Sequence, residues 1–182
     1  MDQAVKYAPR IPYLAKVLEA LFVEPARQRP ERRFLIGGAQ YPQDFPWADN
    51  IYFVRHLPPA EHPAFFSSSR LTLNVTRDAM ARMGWCPSGR LFEAAACGAP
   101  ILTDAWEGLD AFFEPGREIL LTRTTADAVA ALDLTDAELR RIAEASRART
   151  LEEHTSDRRA EELEALLGTA DAPARRGAMM EA

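Results

Sequence analysis

The residues best suited to chemistry in this chain lie just past short apolar runs, and the richest group is Pro87-Ser88-Gly89-Arg90-Leu91-Phe92-Glu93. Ser88 stands where a helix N-cap belongs, and the first turn of a helix presents backbone N–H groups without intrahelical acceptors. With the helix dipole, those groups favour a phosphate. Gly89 lets a ligand approach the backbone closely, and Arg90 adds a full positive charge. Glu93, one turn further on, offers a carboxylate that can accept two hydrogen bonds from a vicinal diol, such as the 2′- and 3′-hydroxyls of a ribose. One short segment could therefore hold both a diphosphate and a ribose. A capped core helix with Arg90 and Glu93 paired at i, i+3 on its surface fits the same spacing.

Two neighbouring segments carry related groups. Arg77, in Asn74-Val75-Thr76-Arg77-Asp78, sits at a strand end with a guanidinium fork suited to phosphate; the plainer role is a surface pair with Asp78 or another carboxylate. In Thr103-Asp104-Ala105-Trp106-Glu107-Gly108, Thr103 and backbone amides could line a sugar or phosphate pocket. Asp104 and Glu107 could accept sugar hydroxyls, while Trp106 equally suits a cover over the core. His56, at a strand end, and Asn74 are further candidates. His62, beside Pro63, reads as structural, and His154 as a capping or packing residue.

Several chemistries are not indicated. The chain has no Ser-His-Asp order, no H-E-x-x-H and no D-x-D pair, and its glycines match neither the Rossmann G-x-G-x-x-G nor the P-loop pattern. Cys86 and Cys97 have no Cys or His at zinc-ligand spacing, so no metal is expected. Without paired carboxylates to hold a cation on a diphosphate, arginines and a helix dipole would neutralise a leaving group. A net charge of −5 disfavours a dedicated nucleic-acid binder. No apolar stretch reaches membrane-spanning length and no signal peptide is visible, so a cytoplasmic location is expected.

These groups need a scaffold. At 182 residues and 47% hydrophobic, the chain is long enough for one domain with a well-buried core. Ile11, Leu14, Leu18, Leu21 and Phe22 predict an amphipathic helix within a leading segment 11–30, kinked or restarted at Pro25. Strands are expected at 33–38, 51–54, 71–75, 100–103 and 118–121. Helices are expected near 60–69, from Ser88 to Cys97 with Gly98 as its stop, after Thr124 or Thr125, and after the Thr135–Glu138 capping box. A last helix carries Ala160, Leu163, Leu166 and Leu167 and closes at Gly168; residues 169–182 read as a frayed tail behind a domain spanning 1–168. Alternating strands and helices indicate an α/β fold with a mainly parallel sheet flanked by helices. Ligands in such folds bind outside the carboxyl ends of the strands.

In this order, His56-Leu57-Pro58-Pro59, His62-Pro63-Ala64-Phe65-Phe66, Leu73-Asn74-Val75-Thr76-Arg77, and Pro87 through Pro100 resemble the spore-maturation (CgeB-type) glycosyltransferases. Thr103-Asp104 with Trp106-Glu107-Gly108-Leu109, Pro115-Gly116-Arg117-Glu118-Ile119 and Glu153-His154-Thr155 extend the resemblance over roughly residues 25–168. It implies the C-terminal, Rossmann-like half of a GT-B enzyme, which binds a nucleoside diphosphate sugar. Donor binding would fall to Arg77, Arg90 and Glu93, supported by Ser88, Gly89, Thr103 and Asp104. Catalytic groups are expected on an N-terminal acceptor domain, supplied by a longer chain, a separate partner or another copy, so little activity is expected from this chain alone. The alternative is a non-catalytic nucleotide-binding or interaction module that docks on a partner. Related transferases carry a second glutamate eight residues before the ribose-binding one, and here that position is Trp85.

Overall fold

Short apolar segments give the sheet its strands, and the computed structural model, which describes residues 3–6, 16–38, 41 and 45–170, shows how they pair. The strands are β1 (Gln3–Lys6), β2 (Phe34–Gly37), β3 (Ile51–Val54), β4 (Thr72–Asn74), β5 (Ile101–Thr103) and β6 (Leu120–Leu121). Every pairing is parallel, and the order is β3-β2-β1-β4-β5-β6. This is the doubly wound Rossmann order, whose switch point lies between β1 and β4. β1, in the middle of the sheet, was not among the expected strands. The last strand is shorter than the 118–121 segment, with Ile119 making only an isolated bridge to Pro115.

Side-chain alternation splits the core into two layers. Phe34, Ile36, Leu71, Leu73 and Leu102 face one side with Leu18, Phe22 and the helix α5 (Thr125–Asp133), through Ala128 and Leu132. Ile101 faces the other side with Phe65 and Phe66 of α2 (His62–Ser67) and Leu91, Ala94 and Ala95 of α4 (Gly89–Ala96). Trp106 and Phe113 close this second layer, so Trp106 does cover the core.

The leading helix differs in detail from its sequence pattern. A π-helical turn, Glu19–Val23, precedes α1 (Glu24–Gln28), and the Glu24 amide donates to the Glu19 carbonyl. Pro25 has no N–H to continue an ordinary ladder at this point, and the widened turn accommodates the break. Residues 11–15 of the expected helix lie outside the described residues. A helix absent from the expectations, α3 (Asp78–Met83), follows Arg77.

Helix ends follow their local chemistry. Gly98, at φ +70°, ends α4; its amide bonds to the Ala95 carbonyl and the Ala99 amide to the Ala94 carbonyl. Arg147 of α6 (Asp136–Glu153) donates from Nε to the Ala96 carbonyl at 3.1 Å, tying α6 to that end. Capping boxes form at Thr124 with Asp127 and at Thr135 with Glu138. The final helix α7 (Ser156–Ala170) runs through Gly168 rather than stopping there. Its leucine stripe is exposed, with Leu166 at 68%. Residues 171–182 lie outside the described residues.

Candidate functional site

Segments leaving three strands converge on one open cleft of about 640 Å³, within the size range of small-ligand sites. Gly38 comes from beyond β2, His56 and Leu57 from beyond β3, and Thr76 and Arg77 from beyond β4. Ser88, Gly89, Arg90 and Glu93 from the start of α4 form the opposite wall, with His62 of α2 beside Glu93. The cleft therefore lies at the carboxyl edge of the sheet, where the Rossmann order places ligands.

Of the residues singled out by sequence, Arg77, Ser88, Gly89, Arg90, Glu93 and His56 line this cleft together. Ser88 is the N-cap residue of α4, yet its side chain makes no cap bond. Instead Ser88 Oγ accepts from Arg90 Nε at 3.2 Å, and Arg90 Nη2 reaches the Val75 carbonyl at 3.4 Å. Arg90 is thus drawn back along the N-terminal turn of α4, over the end of β4. A Cβ at Gly89 would meet only Glu93 Oε1, at an ordinary van der Waals distance of 3.9 Å.

Neither plain alternative for the charged groups matches the observed pairing. Glu93 pairs with His62 Nδ1 at 3.3 Å rather than with Arg90. Asp78 binds Arg82 through both carboxylate oxygens, at 3.1 and 2.8 Å, rather than Arg77. Arg77 is exposed at the N-cap of α3, facing the cleft.

The remaining candidates stand behind or beside the cleft. Asn74 and Thr103 are paired across β4 and β5 and buried, with Asn74 Nδ2 donating to Thr103 Oγ1 at 3.1 Å. Asp104 accepts from the Thr76 amide at 2.8 Å and from its hydroxyl at 2.9 Å, so it braces a residue of the wall. Burial pushes the Asp104 carboxyl above its ordinary value, and the Thr76 and Thr103 hydrogen bonds offset only part of that effect. Glu107 is exposed away from the lining and supplies its carbonyl to the Trp85 amide at 2.7 Å. The backbone here is unusual: Trp85 has φ +52°, and Gly108, at φ +89°, leaves room for its indole. Trp85 is 61% exposed.

His62 is the wall residue that sequence reasoning assigned to structure alone. His154 does pack structurally, with Nε2 3.0 Å from the Phe112 carbonyl and its ring against Phe92 and Phe113. The Cys97 thiol is pushed up by burial and by the nearby Glu93 charge, with Arg147 acting in the opposite direction. Among the described residues, no three His, Cys, Asp or Glu side chains gather as a metal site, and no helix is long and apolar enough to cross a membrane.

A family model described as glycosyl transferase-like matches residues 16–165. No curated protein matches the sequence. Solved structures share the fold at low identity. Sucrose-phosphate synthase from Thermosynechococcus elongatus aligns at TM-score 0.71 and 17% identity, over 93% of this chain and 45% of that one. Anabaena HepE in complex with UDP and glucose aligns at 0.72 and 14% identity, over 92% and 48%. The C-terminal domain of the glycosyl transferase group 1 family protein LpcC from Francisella tularensis aligns at 0.64 and 13% identity, over 85% and 87%. The chain spans about half the length of the first two and most of the isolated domain.

Proposed function

The chain belongs to the glycosyl transferase-like family, and from that premise we propose that it is the donor-binding domain of a glycosyltransferase of the CgeB type, gripping a nucleoside diphosphate sugar in the cleft at the start of α4. The observation that carries this reading is the convergence of Arg77, Arg90 and the N-terminus of α4, which has no side-chain cap, on one cleft with Glu93 one turn further along. In this account the diphosphate lies against the Ser88–Arg90 turn, where the helix dipole and two guanidinium groups offset its charge. Glu93 takes the ribose hydroxyls. The same cations stabilise the diphosphate as it departs, without a metal ion. Asn74, Thr103 and Asp104 act from behind, holding Thr76 and the ends of β4 and β5.

The sugar is transferred to an acceptor held by a second domain, which also brings the general base, so this chain alone has little transferase activity. A bound UDP and glucose in HepE fits this choice of ligand class. Titration calorimetry of the 182-residue chain with UDP, GDP and ADP is the test. At least one should bind, and Glu93→Ala should weaken that binding by about tenfold, the energy of one or two hydrogen bonds. Failure of all three to bind, or binding indifferent to Glu93→Ala, would count against the reading.

A further inference from the structure

The imidazole of His62, the first residue of α2, stands between two acceptors from different parts of the fold. Its Nε2 lies 3.3 Å from the Leu57 carbonyl oxygen, and its Nδ1 lies 3.3 Å from Glu93 Oε2. A carbonyl and a carboxylate can each only accept, so the ring bonds to both at once by donating from both nitrogens, as an imidazolium. The Phe66 ring meets the imidazole edge to face with centroids 6.2 Å apart, limiting its rotation. The two partners differ in freedom: the His62 side chain is 15% exposed and that of Glu93 50%. An exposed glutamate samples many rotamers, and fixing it for a ligand costs entropy. A neighbour already held by the backbone can supply that order in advance.

We propose that His62 is a positioning residue for Glu93: anchored on the Leu57 carbonyl through Nε2, it holds the carboxylate through Nδ1 in the orientation that receives the two ribose hydroxyls of the nucleotide. The inference rests on the donor-binding reading and adds the determinant of ribose recognition. The apolar packing of α2 on α4 brings the two groups together, and the histidine then couples the segment beyond β3 to the helix that carries the phosphate site. In this arrangement the carboxylate is presented to the diol by a group that itself never touches the ligand.

The test uses the 182-residue chain and calorimetric titration with UDP, GDP and ADP, each alongside its 2′,3′-dideoxy counterpart. His62→Phe should lower affinity for the ribonucleotide about five- to tenfold, the scale of one ordered side chain, and leave the dideoxy ligand unchanged. His62→Asn, whose side-chain amide places a donor where Nδ1 stood, should restore most of the discrimination. Combining His62→Phe with Glu93→Gln should cost no more than Glu93→Gln alone. Equal weakening of both ligands by His62→Phe, or no effect on either, overturns the positioning role while leaving donor binding intact. If the unmodified chain binds none of the diphosphates, the donor reading falls and this inference falls with it. Thermal melts of each variant guard against misfolding, and if His62→Phe does not fold, His62→Leu takes its place: loss of ribose affinity with the dideoxy ligand unchanged supports the role, and equal weakening of both ligands or no effect overturns it.

Discussion

Arg90→Ala is the perturbation whose size follows most directly from the cleft. The guanidinium reaches Ser88 Oγ at 3.2 Å and the Val75 carbonyl at 3.4 Å, at the N-terminal turn of α4 that lines the cleft. A hydrogen bond to a charged group contributes about 1.5–3 kcal/mol. At about 1.4 kcal/mol per factor of ten, its loss should weaken diphosphate binding roughly 10- to 150-fold. Arg90→Lys should fall between wild type and Arg90→Ala, because lysine keeps the charge but not the planar fork. The assay is titration of the folded variants with the tightest-binding nucleoside diphosphate, repeated at low and high salt. Screening should weaken wild-type binding more than that of Arg90→Ala, since the variant has lost one of the charges being screened. Affinity within twofold of wild type in a folded Arg90→Ala chain would refute the placement of the diphosphate beside this residue.

Other outcomes follow from burial and backbone geometry. Asp104 has its pKa raised in the folded state by burial, so folding takes up a proton and stability declines as pH rises from the ordinary carboxylate value, about 4, through the folded value. Asp104→Asn should therefore gain stability relative to wild type across that window in urea melts, and a pH-independent difference would contradict the assignment. Gly108→Ala would place a Cβ 2.5 Å from Trp85 Cδ2 at φ +89°; it should cost about 1–3 kcal/mol and shift tryptophan emission. Leu91→Ala, at a fully buried position, should cost about 2–5 kcal/mol in urea denaturation. Leu166→Ala, on the exposed face of α7, should stay within about 0.5 kcal/mol.

What the sequence made legible was chiefly local. Gly98 ends α4 because a left-handed stop is chosen by the residue beside the helix end, whereas Ser88 stands at the N-cap position with its hydroxyl turned to Arg90 instead of the helix. The capping boxes at Thr124 and Thr135 follow the same logic. β1 escaped notice because Gln3–Lys6 is four residues with polar ends, and its place between β2 and β4 comes from pairing with strands 31 and 68 residues along, in the registers Gln3 with Phe34 and Ala4 with Thr72. The same limit applies to His62. Its neighbour Pro63 suggests a helix start, but the approach to Glu93 is made by packing α2 on α4 and has no short-range signature. Asn74 and Thr103 illustrate a subtler point. Both lie at the carboxyl ends of parallel strands, where ligands bind, yet both side chains turn into the sheet toward each other. The residues that reach the cleft from β4 come two and three positions later, at Thr76 and Arg77.

A crystal structure of the chain with a nucleoside diphosphate tests the account most directly. The diphosphate should lie against the Ser88–Arg90 turn with Arg90 and Arg77 around it, and Glu93 should accept both ribose hydroxyls with His62 still at its side. A diphosphate bound elsewhere, such as against Arg140 and Arg147 at the opposite end of the sheet, or a ribose that leaves Glu93 untouched, would contradict it.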